Sequence, residues 1–455
     1  MSEMAAPSNK NTPDVWHSLW RAVRMPLLAL GVAFLIGGIV IWVTSGSLVT
    51  VFEAYWGLLR GAFFKQRGFS ESLVASIPYV FLSLGLAISF KSGLFNIGVE
   101  GQFYIGAVSA AWAGQLTSDL PAIVHLPLTL GAGMLGGAVW AGIPGILKVK
   151  TGAHEVISTM MMNYIAFRLT EYLILGPLRD ANSTAVQTPR VSPHAELWTL
   201  AAIPQRLQDP LNALALAVFV ALLAAMLLRA WVGRPALKAR FPSAVRRRAI
   251  YLGGGAAIGL LVFILLPLLA RAWWPFQDQY DRLHVGLILA FVAAALVWWL
   301  LQKTTIGFEL RTVGANPSAA HYAGIDTTRS VVLAMALSGA LAGLAGTIEV
   351  LGVSICRCLP LFFSSGYGFD SIAITLLAKN NPFGILLSSF LFGAMRNGAD
   401  LMELTSGVSK YIISLIQALA LLFVAAPGIV RWMFRMKKVE TTADAEAPLT
   451  RGWGG

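Results

Sequence analysis

Charge, cysteine and catalytic motifs are all scarce in this chain. Charged residues make up 12% of its 455 residues, against about 25% in a typical soluble domain. The two cysteines, Cys356 and Cys358, are too few for a disulfide framework or a zinc site, and we interpret them as small packing residues at a helix end. Neither the Gly-Lys dipeptide of a phosphate-binding loop nor a G-x-S-x-G nucleophile elbow occurs. The sequence therefore predicts no catalytic residue and no metal ligand.

What the chain has in abundance is apolar side chains. Hydrophobic residues make up 56% of it, 44 residues are glycine, and the mean hydropathy is +0.69. So many glycines fit helices that pack closely in lipid, whereas a soluble protein of this composition would need one very large apolar core. The net charge of +12 suggests nucleic acid, but the basic residues cluster in short loops beside apolar runs, as the positive-inside rule describes. We therefore expect a membrane protein without a nucleic-acid partner.

Apolar runs long enough to cross a bilayer, which takes roughly 20 residues, recur along the chain. They predict an all-α, polytopic transmembrane helical bundle of about twelve spans. The predicted spans are 26–45, 72–90, 95–115, 127–147, 156–175, 211–231, 249–274, 284–301, 330–352, a short one at 368–378, 383–399 and 409–431. For the 72–115 region and for 368–378, the sequence is compatible both with a full span and with a broken or re-entrant helix.

The basic residues predict the orientation of these spans. The polar stretch 1–25 is too long for the charged region of a secretory signal, and no cleavage site follows it. An even number of spans puts both termini on one side, and the basic residues beside them make that side the cytoplasm. The basic loop 232–248 then lies inside and the polar loop 176–210 outside. We expect a cytoplasmic tail at 1–25, a transmembrane helical domain at 26–438, and a disordered cytoplasmic tail at 439–455.

A polar insert at 303–329 separates two of the apolar runs. Inside it, Asn316 and Pro317 form an N-cap and a first-turn proline, and Gly324 supplies a left-handed stop. The short helix between them would be only about 10 Å long at 1.5 Å per residue, too short to cross a membrane. Because such a helix cannot bury itself in a core of its own, we predict that it docks on another protein.

Acidic side chains occur at membrane depth in three places, where they are costly and usually face a cavity or a partner. Glu100 lies in the glycine-rich break 92–102, which is either part of a solute pathway or a structural hinge. Glu349 ends an apolar span with helix-packing glycines, and its carboxylate either faces the pathway or snorkels to the outer interface. Asp370 opens a short helix and either caps it or binds a polar ligand there; we favour the cap.

Five segments resemble successive signatures of ABC-importer permeases of the branched-chain amino acid, sugar and nucleoside group. They are, in order, SGLFNIGVEGQFYIGA, HEVISTMMMNYIAF, KTTIGFELRTVGANPSAAHYAGI, MALSGALAGLAGTIEVLGV and GYGFDSIAITLLA. The NIGVEGQ and GANPSAAHYAGI forms are most similar to those of nucleoside and simple-sugar permeases. The resemblance covers most of residues 70–430, with the segments in the family's order.

The resemblance implies that 307–325 is the cytoplasmic loop that contacts the ATPase. Its coupling residues would be Gly307, Glu309, Arg311, Gly314, Asn316, Pro317, Ala319, Ala320, Gly324 and Ile325. The implied partners are an ABC ATPase that uses ATP and Mg, a second related permease subunit (as a homo- or heterodimer), and an extracytoplasmic solute-binding lipoprotein. This chain itself would bind no cofactor and would lie, surrounded by lipid, in the inner (plasma) membrane of a bacterial cell.

The family core has roughly ten spans, so residues 211–282 would be an inserted helical pair. Because an even number of added spans preserves the orientation downstream, the pair leaves the rest of the prediction intact. It is either a lipid-facing buttress or a regulatory module, and we favour the buttress.

We therefore expect a non-catalytic permease subunit that imports nucleosides or related simple sugars by alternating access, driven by a separate ATPase. The residues predicted to line the solute pathway are Asn96, Glu100, Gln102, Asn163, Glu349, Phe369, Asp370 and Ser371. One alternative is a secondary transporter that couples solute movement to an ion through the three acidic residues among them. A structural membrane subunit without a pathway is another.

Overall fold

The computed structural model describes residues 15–116, 120–232, 243–272, 275–276 and 278–433. Within these ranges the chain forms seventeen α-helices, and β-structure is limited to two isolated bridges. The helices are α1 (Val15–Ser45), α2 (Leu48–Leu59), α3 (Gly68–Lys91), α4 (Val99–Leu116), α5 (Ala122–Thr151), α6 (Glu155–Leu175), α7 (Ile203–Arg206), α8 (Pro210–Val232), α9 (Ala244–Ala272), α10 (Gly286–Lys303), α11 (Thr305–Ala315), α12 (Pro317–Tyr322), α13 (Thr327–Ile348), α14 (Tyr367–Leu377), α15 (Pro382–Ser406), α16 (Tyr411–Ala425) and α17 (Pro427–Met433). The predicted all-α bundle is confirmed. The predicted tail 439–455 and residues 1–14 of the N-terminal tail lie outside the described residues.

Six of the described helices are long and apolar enough to cross a membrane, and a bent pair formed by 200–206 and 210–226 would make a seventh. The six lie in α1, α3, α5, α9, α10 and α13. The other predicted spans coincide with helices that are shorter or more polar. Among them, α14 has 11 residues, which gives about 16 Å at 1.5 Å per residue and is too short to cross the roughly 30 Å hydrocarbon core.

The predicted first span, 26–45, coincides with the apolar segment Pro26–Ser45 of α1. The helix itself begins earlier, at Val15, and continues through Pro26 without a break. Helix α2, followed by a π-helical turn at Arg60–Phe64, was not predicted. Its 12 residues are too few for a span, and Gly46, with φ of +69°, turns the chain between α1 and α2.

The core of the bundle is built from α3, α4, α5 and α13, whose backbones approach closely at glycines. A Cβ placed on Gly343 would lie 2.1 Å from the carbonyl oxygen of Gly133, and one on Gly339 would lie 2.3 Å from that of Gly137. Gly346 likewise leaves no room beside the Phe103 carbonyl. Because lipid provides no hydrophobic force between helices, such close packing is a main source of their association. The predicted packing role of the α13 glycines is confirmed.

Helices α8 and α9 form a hairpin that packs mainly on itself. Gly255 and Gly259 of α9 lie against Ala217 and Ala221 of α8, while most large apolar side chains of both helices point away from the bundle. The first turn of α9 carries Arg246–Arg248, and residues 233–242 of the basic connection lie outside the described residues. Whether this pair is a buttress or a regulatory module stays a prediction.

At one end of the bundle, charged residues hold the segment after α9 to the start of α3. Arg282 donates to both carboxylate oxygens of Glu71 and to the Val353 carbonyl. Arg67 is paired with Asp278, and its guanidinium, by hydrogen bonding, lowers the pKa of the Asp278 carboxyl. These contacts place the N-terminus of α3, residues 278–285 and the end of α13 at the same end of the molecule.

The interpretation of the cysteines as packing residues is wrong for Cys356. Cys356 and Cys358 form a disulfide, with their Cα atoms 5.1 Å apart. The residue between them, Arg357, adopts a φ of +50°, and this tight turn brings two cysteines that are separated by a single residue within bonding reach. Cys358 is buried, so the prediction of a packed cysteine holds for that residue alone.

We predict that the glycines at the α5–α13 contact cannot be enlarged. In Gly343→Ala the new methyl group would collide with backbone, which is expected to lower the free energy of unfolding by about 1–3 kcal/mol. Gly142→Ala is the control, because a Cβ at Gly142 meets nothing within 4 Å and alanine favours the helix by up to about 1 kcal/mol. Thermal unfolding in detergent, followed by tryptophan fluorescence, measures both. Equal melting temperatures for the two variants would contradict the packing assignment.

Candidate functional site

Helices α3 and α4 are separated by a break whose freed backbone groups are satisfied by buried amide side chains. Asn96 and Gln102 exchange two amide hydrogen bonds of 3.1 Å, and Asn96 also donates to Ser338 of α13 at 3.0 Å. The side-chain oxygen Oδ1 of Asn96 also accepts a hydrogen bond from the backbone N–H of Gly98. In an apolar medium each unsatisfied polar group would be costly, so these amides make the break possible.

A third amide side chain, that of Asn163 on α6, also hydrogen-bonds to the backbone at this break. The Asn163 side-chain oxygen accepts from the Gly101 N–H at 2.8 Å, and its NH2 group donates to the Ile97 carbonyl at 3.0 Å. The side chains of Asn96, Gln102 and Asn163 are all buried. The structure therefore brings these three predicted pathway residues together at the helix break. Asn96 and Gln102 bond to each other, and Asn163 bonds to the backbone of Ile97 and Gly101.

Glu100 joins the start of α4 to the start of α14. Its carboxylate accepts from the Ser364 hydroxyl and from the backbone N–H of Gly368, and the side chain is 2% exposed. A Cβ on Gly368 would lie 2.6 Å from the Glu100 backbone nitrogen, so only glycine permits this approach. The first N–H groups of a helix lack partners within the helix and favour negative charge. Glu100 thus supplies the acceptor that α14 lacks in its own sequence.

Arg396 of α15 lies at the centre of a second set of contacts around α14. It donates to the Tyr79 hydroxyl at 3.0 Å and to Ser365, and its guanidinium carbon lies 3.9 Å from the ring centroid of Tyr367. The Tyr79 hydroxyl in turn donates to Asp370 at 2.8 Å. A half-buried arginine such as Arg396 is stabilised when its donors are occupied and its face covers an aromatic ring. This chain of contacts ties α3, α14 and α15 together.

The remaining predicted pathway residues have different surroundings. Ser371 is buried and donates to the Tyr367 carbonyl one helical turn earlier, which is a local helix contact. Phe369 is 45% exposed and lies on the same helix. Glu349 opens a π-helical turn at Glu349–Val353 and is buried, with one carboxylate oxygen lacking a hydrogen-bond partner.

Two sequence interpretations at this site are wrong. Asp370 does not cap α14, because the cap position is Gly366, with φ of +94° and no side-chain hydrogen bond, and Asp370 bonds to Tyr79 instead. Glu349 does not snorkel to the interface, because its side chain is buried in the bundle. Arg396 was missed, although a lone arginine within the apolar run 383–399 is the kind of signal that marks a functional or partnered residue.

The polar insert forms the capped helix that the sequence predicted. The side chain of Asn316 accepts from the Ala319 N–H at 3.0 Å, and Gly324 follows with a φ of +80°. The preceding helix α11 is capped in the same way, by Thr304 accepting from Gly307 N–H at 3.0 Å. The two short helices therefore stand between α10 and α13.

The predicted coupling residues separate into an inward and an outward set. Gly307, Gly314 and Ala320 face the bundle, and a Cβ on Gly307 would lie 2.0 Å from the Leu300 carbonyl. Glu309, Arg311 and Ile325 are half-buried, whereas Asn316, Pro317, Ala319 and Gly324 are exposed. Ala320, one of the coupling residues that the resemblance implies, is fully buried within this chain. Tyr322, which the sequence did not single out, is 91% exposed.

The insert also touches the helix break. A Cβ on Gly314 would lie 2.3 Å from the Lys91 carbonyl and 2.8 Å from the Gly93 nitrogen, so α11 packs directly on the end of α3. From Gly93, with φ of +72°, the chain leads into α4 and Glu100. The insert, the break and the start of α14 are therefore linked by successive contacts. No cluster of potential metal ligands occurs in the part of the chain that the structure describes.

We predict that Glu100 holds α14 through hydrogen bonds. Glu100→Ala would leave the Gly368 N–H buried without an acceptor, which is expected to lower the free energy of unfolding by about 1–3 kcal/mol. Glu100→Gln keeps an oxygen for that N–H and an NH2 group that can donate to Ser364, so its stability should stay close to that of the wild type. Thermal unfolding of the three proteins in one detergent is the measurement. A glutamine variant as unstable as the alanine variant would show that the charge is what matters.

The chain is similar to a family of transport permeases and to several individual permease proteins. The family model for the permease component of branched-chain amino acid transport systems matches residues 68–425. The guanosine ABC transporter permease protein of Bacillus subtilis is 32% identical over 418 residues, which cover 91% of this chain and 96% of the relative. The nucleoside ABC transporter permease protein of Lactococcus lactis is 28% identical over 431 residues, with 93% and 96% covered. The glucose ABC transporter permease protein of Haloferax volcanii is 28% identical over 404 residues, with 89% and 87% covered.

No solved structure matches the chain. The family model nevertheless spans the helices from α3 to α16, which include the helix break, the capped insert and the contacts of Glu100 and Arg396. The chain belongs to the family of permease components of branched-chain amino acid transport systems.

Proposed function

We propose that this chain is the membrane-spanning permease of an ABC importer that moves nucleosides, or related simple sugars, into the cell. The observation that carries the proposal is the capped insert, which is packed onto the helix break on one side and exposes α12 on the other. A separate ATPase that binds ATP and Mg would dock on the exposed face. Relatives that transport guanosine, nucleosides and glucose support this range of solutes.

The contacts provide a route for the ATPase to act on the spans. A displacement of α12 is carried by the buried Ala320 and by Gly314 to Gly93, at the break between α3 and α4. Helix α4 then carries Glu100, whose carboxylate holds the first turn of α14. Close packing transmits such shifts because interfaces of this kind do not deform continuously. The proposed consequence is that closure of the ATPase pair alternates the access of a central pathway.

The surroundings of α14 suit a solute with an aromatic ring and hydroxyl groups. Phe369 offers an exposed ring, and Ser365, which bonds to Arg396, is exposed beside it on the same segment. Asp370 and Arg396 add an acceptor and a donor, the pair of functions that ribose hydroxyls and base edges require. We therefore assign the solute pathway to the α14 region and to the buried residues Glu100 and Glu349. Asn96, Gln102 and Asn163 have the separate role of holding the helix break.

The two ends of α3 support the orientation that we propose. Its last residue, Lys91, contacts the insert at Gly314, and its first turn contacts Arg282 through Glu71. The 24 residues of α3 separate these ends by about 36 Å at 1.5 Å per residue. We place the insert and both termini in the cytoplasm, and the disulfide-bearing loop outside, where disulfides persist. A second permease subunit and a solute-binding lipoprotein would complete the assembly in a bacterial plasma membrane.

Reconstituted uptake tests this function. Because the chain carries no phosphate-binding loop, proteoliposomes with the permease alone should take up no labelled nucleoside or glucose under a sodium or proton gradient. Adding the ATPase, ATP and Mg should restore uptake, and a non-hydrolysable ATP analogue should not. Gradient-driven uptake by the purified chain alone would overturn the proposal and favour the ion-coupled transporter.

We predict opposite effects for glutamate at two neighbouring positions of α12. Ala319 is exposed, so Ala319→Glu should change the stability of the permease by no more than about 0.5 kcal/mol but prevent the ATPase from remaining bound during detergent purification. Ala320 is buried, so Ala320→Glu should destabilise the permease itself by placing an unpaired charge in its interior. Melting temperature and ATPase retention are measured for each variant.

Gln302→Glu, at an exposed position at the end of α10, is the control for added charge. It should leave both the melting temperature and the retained ATPase unchanged. An Ala319→Glu permease that still retains the ATPase would show that α12 is not the docking element.

A further inference from the structure

The inserted hairpin of α8 and α9 is strongly basic and carries no acidic residue. Residues 210–277 contain eight arginines and lysines and no aspartate or glutamate. Other exposed arginines of the chain, such as Arg168 and Arg190, are paired with a nearby glutamate. The hairpin therefore has a surplus of positive charge that no residue of its own balances.

Helix packing brings three of these arginines to one end of the hairpin. A Cβ on Gly254 would lie 2.8 Å from the Leu228 side chain, so the end of α8 lies beside the beginning of α9. Arg229 follows Leu228 directly in the last turn of α8. Arg246 and Arg248 precede Gly254 by eight and six residues, or about 12 and 9 Å along the helix at 1.5 Å per residue. The three arginines thus form one cluster.

The cluster is exposed and has no acidic partner within the chain. The side chains of Arg229, Arg246 and Arg248 are exposed, and no carboxylate of the described residues forms an ion pair with them. The first turn of α9 is an unfavourable place for cations, because the helix dipole puts positive partial charge there. Neighbouring guanidinium groups also repel one another. An anion bound at the cluster would offset both effects.

The arginines lie beside a large apolar surface. Arg229 belongs to the apolar helix α8, and the other two stand near the start of the apolar segment Ala244–Ala270. Met226, three residues from Arg229, and Leu252, four residues from Arg248, are exposed. Because the hairpin packs mainly on itself, these apolar side chains face the bilayer. A molecule that contacts both the arginines and this surface has an anionic head and an apolar body.

The cluster lies on the same side of the membrane as the insert. Helix α9 leads from Arg248 to Ala272, about 36 Å at 1.5 Å per residue. Beyond it, residues 278–282 bond to the beginning of α3, whereas the insert contacts the opposite end of α3. The arginine end of the hairpin is therefore the end nearer to the insert.

We propose that Arg229, Arg246 and Arg248 bind the phosphate of an acidic phospholipid in the leaflet on the side of the insert. Guanidinium groups suit this ligand, because each can offer two parallel N–H donors to two phosphate oxygens. Anionic lipids also attract basic residues that lie next to a membrane span. The acyl chains lie along the exposed apolar side chains of α8 and α9. The inserted pair is thereby a lipid-binding element.

A lipid fits this site better than a soluble protein does. Arg229 lies within a helix that the bilayer surrounds, and a long arginine side chain reaches the headgroup layer from such a position. A soluble partner such as the ATPase approaches only from the water side. The inference goes beyond the importer function, since it depends neither on the solute nor on the ATPase.

The experiment measures lipid binding to the purified full-length permease by native mass spectrometry, with phosphatidylglycerol as the acidic lipid and phosphatidylcholine as the neutral one. The triple variant Arg229→Gln, Arg246→Gln, Arg248→Gln should bind phosphatidylglycerol at least tenfold more weakly than the wild type. Its binding of phosphatidylcholine should not change. Glutamine has nearly the helix propensity of arginine and the three positions are exposed, so the melting temperature in lipid-free detergent should stay the same.

A second triple variant removes the same charge from other exposed positions on this side of the molecule. It carries Lys150→Gln, Lys303→Gln and Arg329→Gln and should bind phosphatidylglycerol like the wild type. A further control uses glycerol 3-phosphate, which has the phosphate without acyl chains. At the same concentration it should not displace the lipid from the wild type.

Three results would overturn the inference. Equal losses of phosphatidylglycerol in the two triple variants would show that net charge, and not the hairpin, retains the lipid. Displacement by glycerol 3-phosphate would make a soluble phosphate compound the ligand. Unchanged phosphatidylglycerol binding by the arginine variant would remove the lipid site, and loss of the ATPase from that variant during purification would then make the ATPase the partner.

Discussion

The structure depends on satisfying backbone polar groups where water is absent. Between α3 and α4 the chain leaves helical geometry inside the packed bundle, so its N–H and C=O groups lose their helical partners, and buried polar groups are costly unless they are bonded. Asn96 and Asn163 supply it for the break itself. Glu100 supplies it for the first turn of α14. The same side chains therefore make an irregular region possible and fix the helices that surround it.

The insert meets the bundle at the point where α3 ends. Helix α3 ends at Lys91 and α4 begins at Val99. Gly314 of the insert packs directly on Gly93 at that point. The contacts therefore connect the insert to the start of α4, whose Glu100 bonds to the first turn of α14. The glycines of α5 and α13 pack the adjoining core closely.

The two ends of the molecule expose apolar groups for different reasons. On the insert, Tyr322 is exposed above a buried Ala320 that anchors α12 to the bundle. In the loop 354–363, Phe362 is exposed, whereas Leu359 and the disulfide-bonded Cys358 are buried. Each of the two is a short segment with some side chains packed on the bundle and others exposed. Both lead by short covalent or packed connections to Glu100.

The sequence by itself determined the features that depend on neighbouring residues. The caps at Asn316 and Gly324, the apolar lengths of α3 and α13, and the close packing of the α13 glycines all follow from local spacing. So did the membrane environment and, through five ordered segments, the family. The short helix α2 escaped prediction because 12 apolar residues are compatible with several structures. The polar residues chosen from the sequence were largely those that the structure places around the break and α14.

Only the tertiary structure decided which way each side chain faces and what it meets. Tyr79 and Arg396 bond across 317 positions, and Glu100 and Gly368 across 268, separations that no periodicity encodes. Ala319 and Ala320 are adjacent in sequence, yet one is exposed and the other buried, because α12 is seated on the rest of the chain. Cys356 pairs with Cys358 because of the backbone conformation at Arg357. Such outcomes depend on how helices pack, and packing is a property of the whole chain.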